Sequence, residues 1–244
     1  MAESRPGPAT IKRPGPGGRL LIGLLGFVFW LVLGLIGNIL FEWVCIGYFW
    51  PEEGPKRSQA MLEEELRYLR EDFTESLWVD QPVAFAVRLA GQLHGSLYQK
   101  TGIEAWVNRA EENKPPAQES LFQQQRSTFV RGAKRYLHAA MIATQVYAVR
   151  VAVLILALPI FGLLGLVGLV DGMVQRDLRR WGGGREHGQI YHLAKRGIGP
   201  SLALPWIIYL AWPTTVHPNA VIVPFAVLFA LVLAMSSATF KKYL

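Results

Sequence analysis

The sequence predicts an all-α membrane protein with four transmembrane helices and a helical extracytoplasmic region between the first two. Three observations support this fold class. Hydrophobic residues make up 51% of the chain and charged residues only 18%, whereas soluble domains carry about 25% charged residues. Long uncharged stretches alternate with polar segments. The longest polar region shows helical periodicity and no strand alternation.

Four stretches of the chain contain no Asp, Glu, Lys or Arg, and each is predicted to be a transmembrane helix: 20–41, 151–170, 198–216 and 220–239. The first has 22 residues, which as a helix would reach roughly 33 Å, enough for a hydrocarbon core of about 30 Å. A cleaved signal peptide is disfavoured because this stretch exceeds the usual apolar region of about 7–15 residues and no small-x-small site follows it. The alternative with three spans makes the last two stretches one re-entrant hairpin.

The distribution of charge predicts the orientation. The formal net charge is +7, yet region 42–150 has 13 basic against 14 acidic residues. The basic excess lies in the tail 1–19, the loop 171–197 and the segment 240–244. Basic segments beside spans stay in the cytoplasm, so both chain ends are expected there and region 42–150 on the opposite side, which in a two-membrane bacterium is the periplasm. Direct nucleic-acid binding is the weaker interpretation of the charge and is not predicted.

The extracytoplasmic region is predicted to be helical. Apolar residues spaced three and four apart from Leu62 to Leu77 indicate an amphipathic helix. Its acidic residues are interpreted as a solvated face; they are Glu63, Glu64, Glu65, Glu71 and Asp72. A second helix is predicted to begin near Asp80 and Pro82 and to stop at Gly102. A third helical pattern over 122–147 leads into the second span without a proline, which predicts one long helix that continues from the outer region into the membrane.

Small residues and one pair of opposite charges suggest how the helices pack. Glycine and alanine let membrane helices approach closely, and the predicted packing residues are Ala226, Ala230, Ala234 and Ala238 in the fourth span and Gly168 and Gly172 in the second. Glu42 ends the first span and Arg150 begins the second on the same side. We therefore expect these two side chains to form an ion pair between the spans.

The loop between the second and third spans has the most specific sequence. It carries Asp171-Gly172, then the segment 176–186 with arginines, Trp181 and three glycines, then Tyr191-His192-Leu193-Ala194-Lys195-Arg196. It resembles the cytoplasmic loop of the integrating conjugative element membrane protein family, although His187-Gly188-Gln189 and Leu193 depart from that pattern. The residues expected to contact a partner or lipid are Arg176, Arg179, Arg180, Trp181, Arg185, Lys195 and Arg196.

No enzymatic site is predicted. His187 and His192 are five apart, which does not place two ligands on one helical face, Cys45 is the single cysteine, and no Gly-x-Ser-x-Gly occurs. No metal or cofactor is therefore expected. The resemblance implies a non-enzymatic component of conjugative DNA transfer in a bacterial inner membrane, linked to type IV secretion. The expected partners are membrane and envelope proteins of that system and anionic lipid headgroups. The alternatives are a small transporter or channel subunit, which would need more intramembrane polar groups than Asn38, and a membrane-embedded enzyme.

Overall fold

The computed structural model describes residues 15–50, 55–73, 77–112, 121–182 and 188–240. This part of the chain folds into seven α-helices and contains no strand. The helices are α1 (Pro16–Val44), α2 (Pro55–Asp72), α3 (Pro82–His94), α4 (Ile103–Glu112), α5 (Leu121–Trp181), α6 (Gly188–Ala211) and α7 (Pro218–Ala238). A turn of π-helix extends α1 over Cys45–Phe49, and another extends α3 over Gly95–Gln99.

The longest element is α5, which has 61 residues and is therefore roughly 90 Å long. The prediction of one unbroken helix through residues 122–170 is confirmed. The helix also continues to Trp181, so residues 171–181 of the predicted loop are helical.

Three helical segments are long and apolar enough to cross a membrane, namely Gly17–Phe49, Gly132–Trp181 and Pro218–Ala238. They identify the chain as a membrane protein. Helix α6 is not among them, because it includes Lys195 and Arg196 and ends at Ala211 instead of continuing to residue 216. Its uncharged part, 198–211, is about 21 Å long, which is shorter than the expected third span.

Helices α2 and α3 pack on the first part of α5. Leu69 of α2, Phe73 directly after that helix and Ala86 of α3 are buried in the same apolar cluster as Tyr147 and Ala152 of α5. The core formed by α2 and α3 is thus continuous with the core of the apolar helices.

Helices α5 and α7 approach so closely that three positions of α5 have no room for a side chain. A Cβ atom at Gly168 would lie 2.2 Å from the Ala230 carbonyl oxygen, and one at Gly172 would lie 2.3 Å from that of Ala234. At Gly165 it would lie 2.7 Å from the Phe229 ring. The glycines of α5 thus face the alanines of α7, and Ala226 and Ala238 of α7 are also buried.

Candidate functional site

The most highly connected polar side chain in the described part of the protein is Arg150, which is fully buried near the middle of α5. Its Nε and one Nη donate to the same carboxylate oxygen of Glu65, at 2.9 and 2.7 Å. Its remaining hydrogen bonds go to the carbonyl oxygens of Tyr209, Trp212 and Thr214, at 3.3, 2.6 and 2.7 Å. All five N–H donors of the guanidinium group are therefore used.

The three carbonyl groups explain why an arginine is needed at this position. The last carbonyls of a helix lack intrahelical partners and carry the negative end of the helix dipole. Helix α6 ends at Ala211 and the chain continues without helical bonding through Trp212 and Thr214. Arg150 supplies the missing donors and a favourable positive charge, so the carbonyl groups that follow α6 have partners although the residues that carry them at Trp212 and Thr214 are exposed.

Glu65 of α2 balances the charge. It is fully buried, and its second carboxylate oxygen accepts a hydrogen bond from the Tyr209 hydroxyl at 2.7 Å. Glu65, Arg150 and Tyr209 therefore join α2, α5 and α6 at one point. Breaking a buried ion pair by removing one partner typically costs about 3–5 kcal/mol, because the other charge is left buried and unpaired, so loss of either Glu65 or Arg150 alone would weaken the docking of α2.

The expected ion pair between Glu42 and Arg150 is wrong. Glu42 is buried, and its carboxylate accepts a hydrogen bond from the Ser58 hydroxyl. Ser58 and Glu65 lie seven residues apart on one face of α2, which packs onto the bundle and supplies each charged residue with its own partner. The predicted pair rested only on the opposite charges of Glu42 and Arg150 at the ends of neighbouring spans. It did not take into account that α2 packs between them.

Glu65 is the site residue that the sequence analysis missed, because it was assigned to a solvated acidic face. A signal was present: Glu65 follows Leu62 by three positions and precedes Leu69 by four. That spacing places the carboxylate on the apolar stripe of α2, where Leu69 is also fully buried. Nothing in the local sequence indicates the part played by Tyr209.

A second polar cluster joins α3 and its π-turn to α5. The Tyr98 hydroxyl lies 2.8 Å from the Thr144 hydroxyl and donates to the Ala140 carbonyl at 3.2 Å. His94 lies 3.1 Å from the Gln145 amide through Nδ1 and 3.4 Å from Glu104 through Nε2. Burial raises the pKa of Tyr98 above its usual 10.0, so this hydroxyl stays protonated near neutral pH.

The predicted basic residues do not form one cluster. Arg179 donates to the Ala238 carbonyl at 2.8 Å and so joins the ends of α5 and α7. Arg176 is half-buried and lies 3.6 Å from Asp177, with no hydrogen-bond partner for its Nε among the described residues. Arg180, Lys195 and Arg196 are exposed, as is Trp181 with 92% of its surface accessible. Arg185 lies outside the described residues.

A comparison with protein families identifies the group to which this arrangement belongs. The family described as "IncC plasmid conjugative DNA transfer protein DtrJ-like" matches residues 49–241. The chain belongs to the DtrJ-like family. The match begins at the end of the π-turn after α1 and reaches beyond α7, so it includes both Glu65 and Arg150. The prediction of a conjugative transfer family is therefore confirmed. No curated protein and no solved structure matches this DtrJ-like chain.

Proposed function

We propose that this protein is a non-enzymatic inner-membrane component of a conjugative DNA-transfer apparatus linked to type IV secretion, carried by an integrating conjugative element. The observation that carries the proposal is the family match over residues 49–241, which includes α2, α3 and α4 as well as α5, α6 and α7. A protein that presents a folded outer region on membrane helices is suited to connect envelope and membrane partners.

The proposed topology has four crossings, with both chain ends in the cytoplasm. Support for α6 as a crossing comes from its packing along α7. A Cβ at Gly197 would lie 3.3 Å from Val232, and Leu210 is buried in the same cluster as Ile222. The two helices therefore run antiparallel over most of their length, and α6 would accompany α7 across the membrane, with residues 212–216 completing the passage.

The orientation rests on the basic segments. Arg180, Lys195 and Arg196 lie near the ends of α5 and α6 that connect through residues 183–187, and basic residues beside spans favour the cytoplasmic side. The outer helices α2, α3 and α4 then lie in the periplasm, where they would contact other envelope proteins of the apparatus.

The test is deletion of the gene in a donor strain, followed by measurement of transfer frequency to a recipient. We expect a large loss of transfer that the wild-type gene restores in trans. A complementing copy with a C-terminal tag would verify that the protein is present in the inner-membrane fraction. Transfer at the parental frequency in the deletion strain would contradict the proposal.

A second experiment tests the partners. Purification of the tagged protein in mild detergent from mating donors should recover other membrane and envelope proteins of the transfer system, identified by mass spectrometry. The comparison variant carries Leu77→Ser and Trp78→Ser. These substitutions remove two outer apolar side chains that a partner could contact, because they are 76% and 56% exposed. Recovery of the protein alone, in wild type and variant alike, would argue against the role as a connecting component.

A further inference from the structure

An apolar groove lies between α1, α5 and α6. Its volume is about 710 Å³. Apolar side chains of all three helices line it. They include Phe27 and Trp30 of α1, Ile155 and Leu158 of α5, and Ala203 and Trp206 of α6. A smaller cavity of about 280 Å³ borders it, shares Trp30 and Ile207 with it, and reaches Asn38 and Tyr147. The groove therefore extends along α6 from Gly199 to Ala211, over about 18 Å.

Helices α1 and α6 meet at two points within the stretch of α6 that lines the groove. The rings of Phe27 and Trp206 meet edge to face at 5.2 Å, and the Asn38 amide donates to the Leu210 carbonyl at 3.4 Å. Since the larger cavity is lined almost entirely by hydrocarbon and aromatic groups, water would be a poor occupant, and an apolar molecule from the surrounding membrane is favoured.

Two cations lie at one end of the groove. Lys195 and Arg196 precede Gly199 by four and three residues, so they lie on the same face of α6 as the groove, and both are exposed. The level of these two cations along the helix bundle follows from the next residue, Gly197, which packs against Val232 of α7.

Val232 lies midway between Ala230 and Ala234, the residues that contact Gly168 and Gly172 of α5. The two cations are therefore level with the end of the uncharged stretch of α5, just before Asp171. In the proposed topology this is the depth of the cytoplasmic headgroups.

We propose that this groove is a binding site for one anionic phospholipid, whose tails fill the space between α1 and α6 and whose phosphate contacts Lys195 and Arg196. The inference rests on the proposed membrane topology and is independent of the role in transfer. The lipid would act as a packing element that holds α1 against the remaining helices.

The experiment uses the full-length protein, stripped of lipid in detergent and examined by native mass spectrometry with added phosphatidylglycerol or phosphatidylcholine. We expect one tightly bound phosphatidylglycerol per chain. The double variant Lys195→Ala and Arg196→Ala should weaken its binding on the order of tenfold and abolish the preference over phosphatidylcholine. The control with Arg88→Ala and Lys100→Ala, which removes two exposed outer cations, should bind like wild type.

A second pair of variants tests the groove itself. Ala203→Trp places a large ring in the groove and should reduce binding of phosphatidylglycerol and of phosphatidylcholine alike. The control Leu204→Trp should not, because Leu204 is exposed on α6 and does not line the groove. If Ala203→Trp lowers the unfolding temperature more than Leu204→Trp does, Ala203→Leu replaces it, because leucine fills the groove with a smaller side chain.

Phosphatidylglycerol binding that is unaffected by either filler and by the loss of both cations would overturn the proposal. So would efficient cross-linking of two chains through a cysteine at position 203 in a Cys45→Ser background, because a second copy would then occupy the groove. Loss of lipid binding by purified protein and loss of transfer by donor cells are separate measurements, so failure of one inference leaves the other testable.

Discussion

Glu65 of α2 and Arg150 of α5 are 85 positions apart in the chain and meet at 2.7 Å, with both side chains closed to solvent. Because Arg150 also holds the carbonyl groups at the end of α6, this ion pair fixes the outer region, the long helix and the α6–α7 hairpin relative to one another. The contacts that join α2, α5 and the end of α6 therefore depend on one guanidinium group.

Replacement of Arg150 by Met should destabilise the protein by about 3–5 kcal/mol, because it leaves a buried carboxylate without its counter-charge. Three carbonyl groups would lose their donor as well. Arg150→Lys should rescue little, since an ammonium group cannot reproduce the five hydrogen bonds of the planar guanidinium. Thermal unfolding in detergent measures the effect, with the exposed Arg88→Met as control. Equal unfolding temperatures for both Met variants would contradict the assigned role.

A double-mutant cycle should distinguish the two possible acidic partners of Arg150. Glu65→Gln and Arg150→Met should show a coupling energy of at least about 1 kcal/mol, as residues in one buried network do. Glu42→Gln and Arg150→Met should be additive within about 0.5 kcal/mol, since Glu42 bonds Ser58 instead. Chemical or thermal unfolding of the two sets supplies the energies. Strong coupling of Arg150 to Glu42 alone would refute this pairing.

Substitution of Gly168 or Gly172 by Ala should separate α5 from α7 and lower the unfolding temperature, because the added Cβ would overlap the backbone of α7. Gly162→Ala is the matched control on the same helix, since a methyl group added at that position would meet no atom of a neighbouring helix within 4 Å.

The control should keep the wild-type unfolding temperature or gain slightly from the better helix propensity of alanine. Equal losses at positions 162 and 168 would show that the close contact between α5 and α7 does not determine stability.

The buried Tyr98 hydroxyl should make the docking of α3 on α5 sensitive to alkaline pH. Burial raises its pKa above 10.0 in the folded state, so its contribution to stability is complete below pH 10 and is lost as the pH rises through the higher folded value. Tyr98→Phe should cost about 1 kcal/mol near neutral pH, because it removes the bonds to Thr144 and Ala140.

The measurement is the difference in unfolding temperature between wild type and Tyr98→Phe across the alkaline range. This difference should shrink as the pH rises above 10.0, the usual pKa of the group. Thr101→Val, which removes an exposed hydroxyl nearby, serves as control. A difference that stays constant with pH would contradict the assignment to Tyr98.

Cysteine labelling should reveal the four-crossing topology. In a Cys45→Ser background, cysteines introduced at Lys100 and Ala220 should react with a membrane-impermeant maleimide in spheroplasts, whereas one at Arg180 should react only after permeabilisation. All three positions are exposed in the structure. Labelling of the Arg180 position from outside would reverse the orientation, and protection of the Ala220 position alone would support a re-entrant α6–α7 hairpin.

The three helices that are long and apolar enough to cross a membrane could be predicted from the sequence because their signals are local. The uncharged stretch 151–170 and the helical pattern before it predict a continuous α5, and the spacing of Ala230 and Ala234 predicts a packing face. These features depend only on periodicity and composition within one segment, and each such segment forms a single helix in the structure.

The polar site could not be predicted in the same way, because its partners come from distant segments. Arg150 is conspicuous at the start of an apolar stretch, but the choice between Glu42 and Glu65 depends on how α2 folds back onto the bundle. The carbonyl groups of Trp212 and Thr214 carry no sequence signal at all, since every residue has one.

The unbroken course of α5 has a consequence for how the chain tolerates changes in length. An inserted residue between Thr144 and Arg150 would rotate everything beyond it by about 100° and shift it by about 1.5 Å. Tyr98 would keep its acceptors while Gly168 and Gly172 turned away from α7. Seven inserted residues would restore the rotation to within about 20° but would still move the two sets of contacts about 10 Å apart, so we expect this part of α5 to tolerate no change of length.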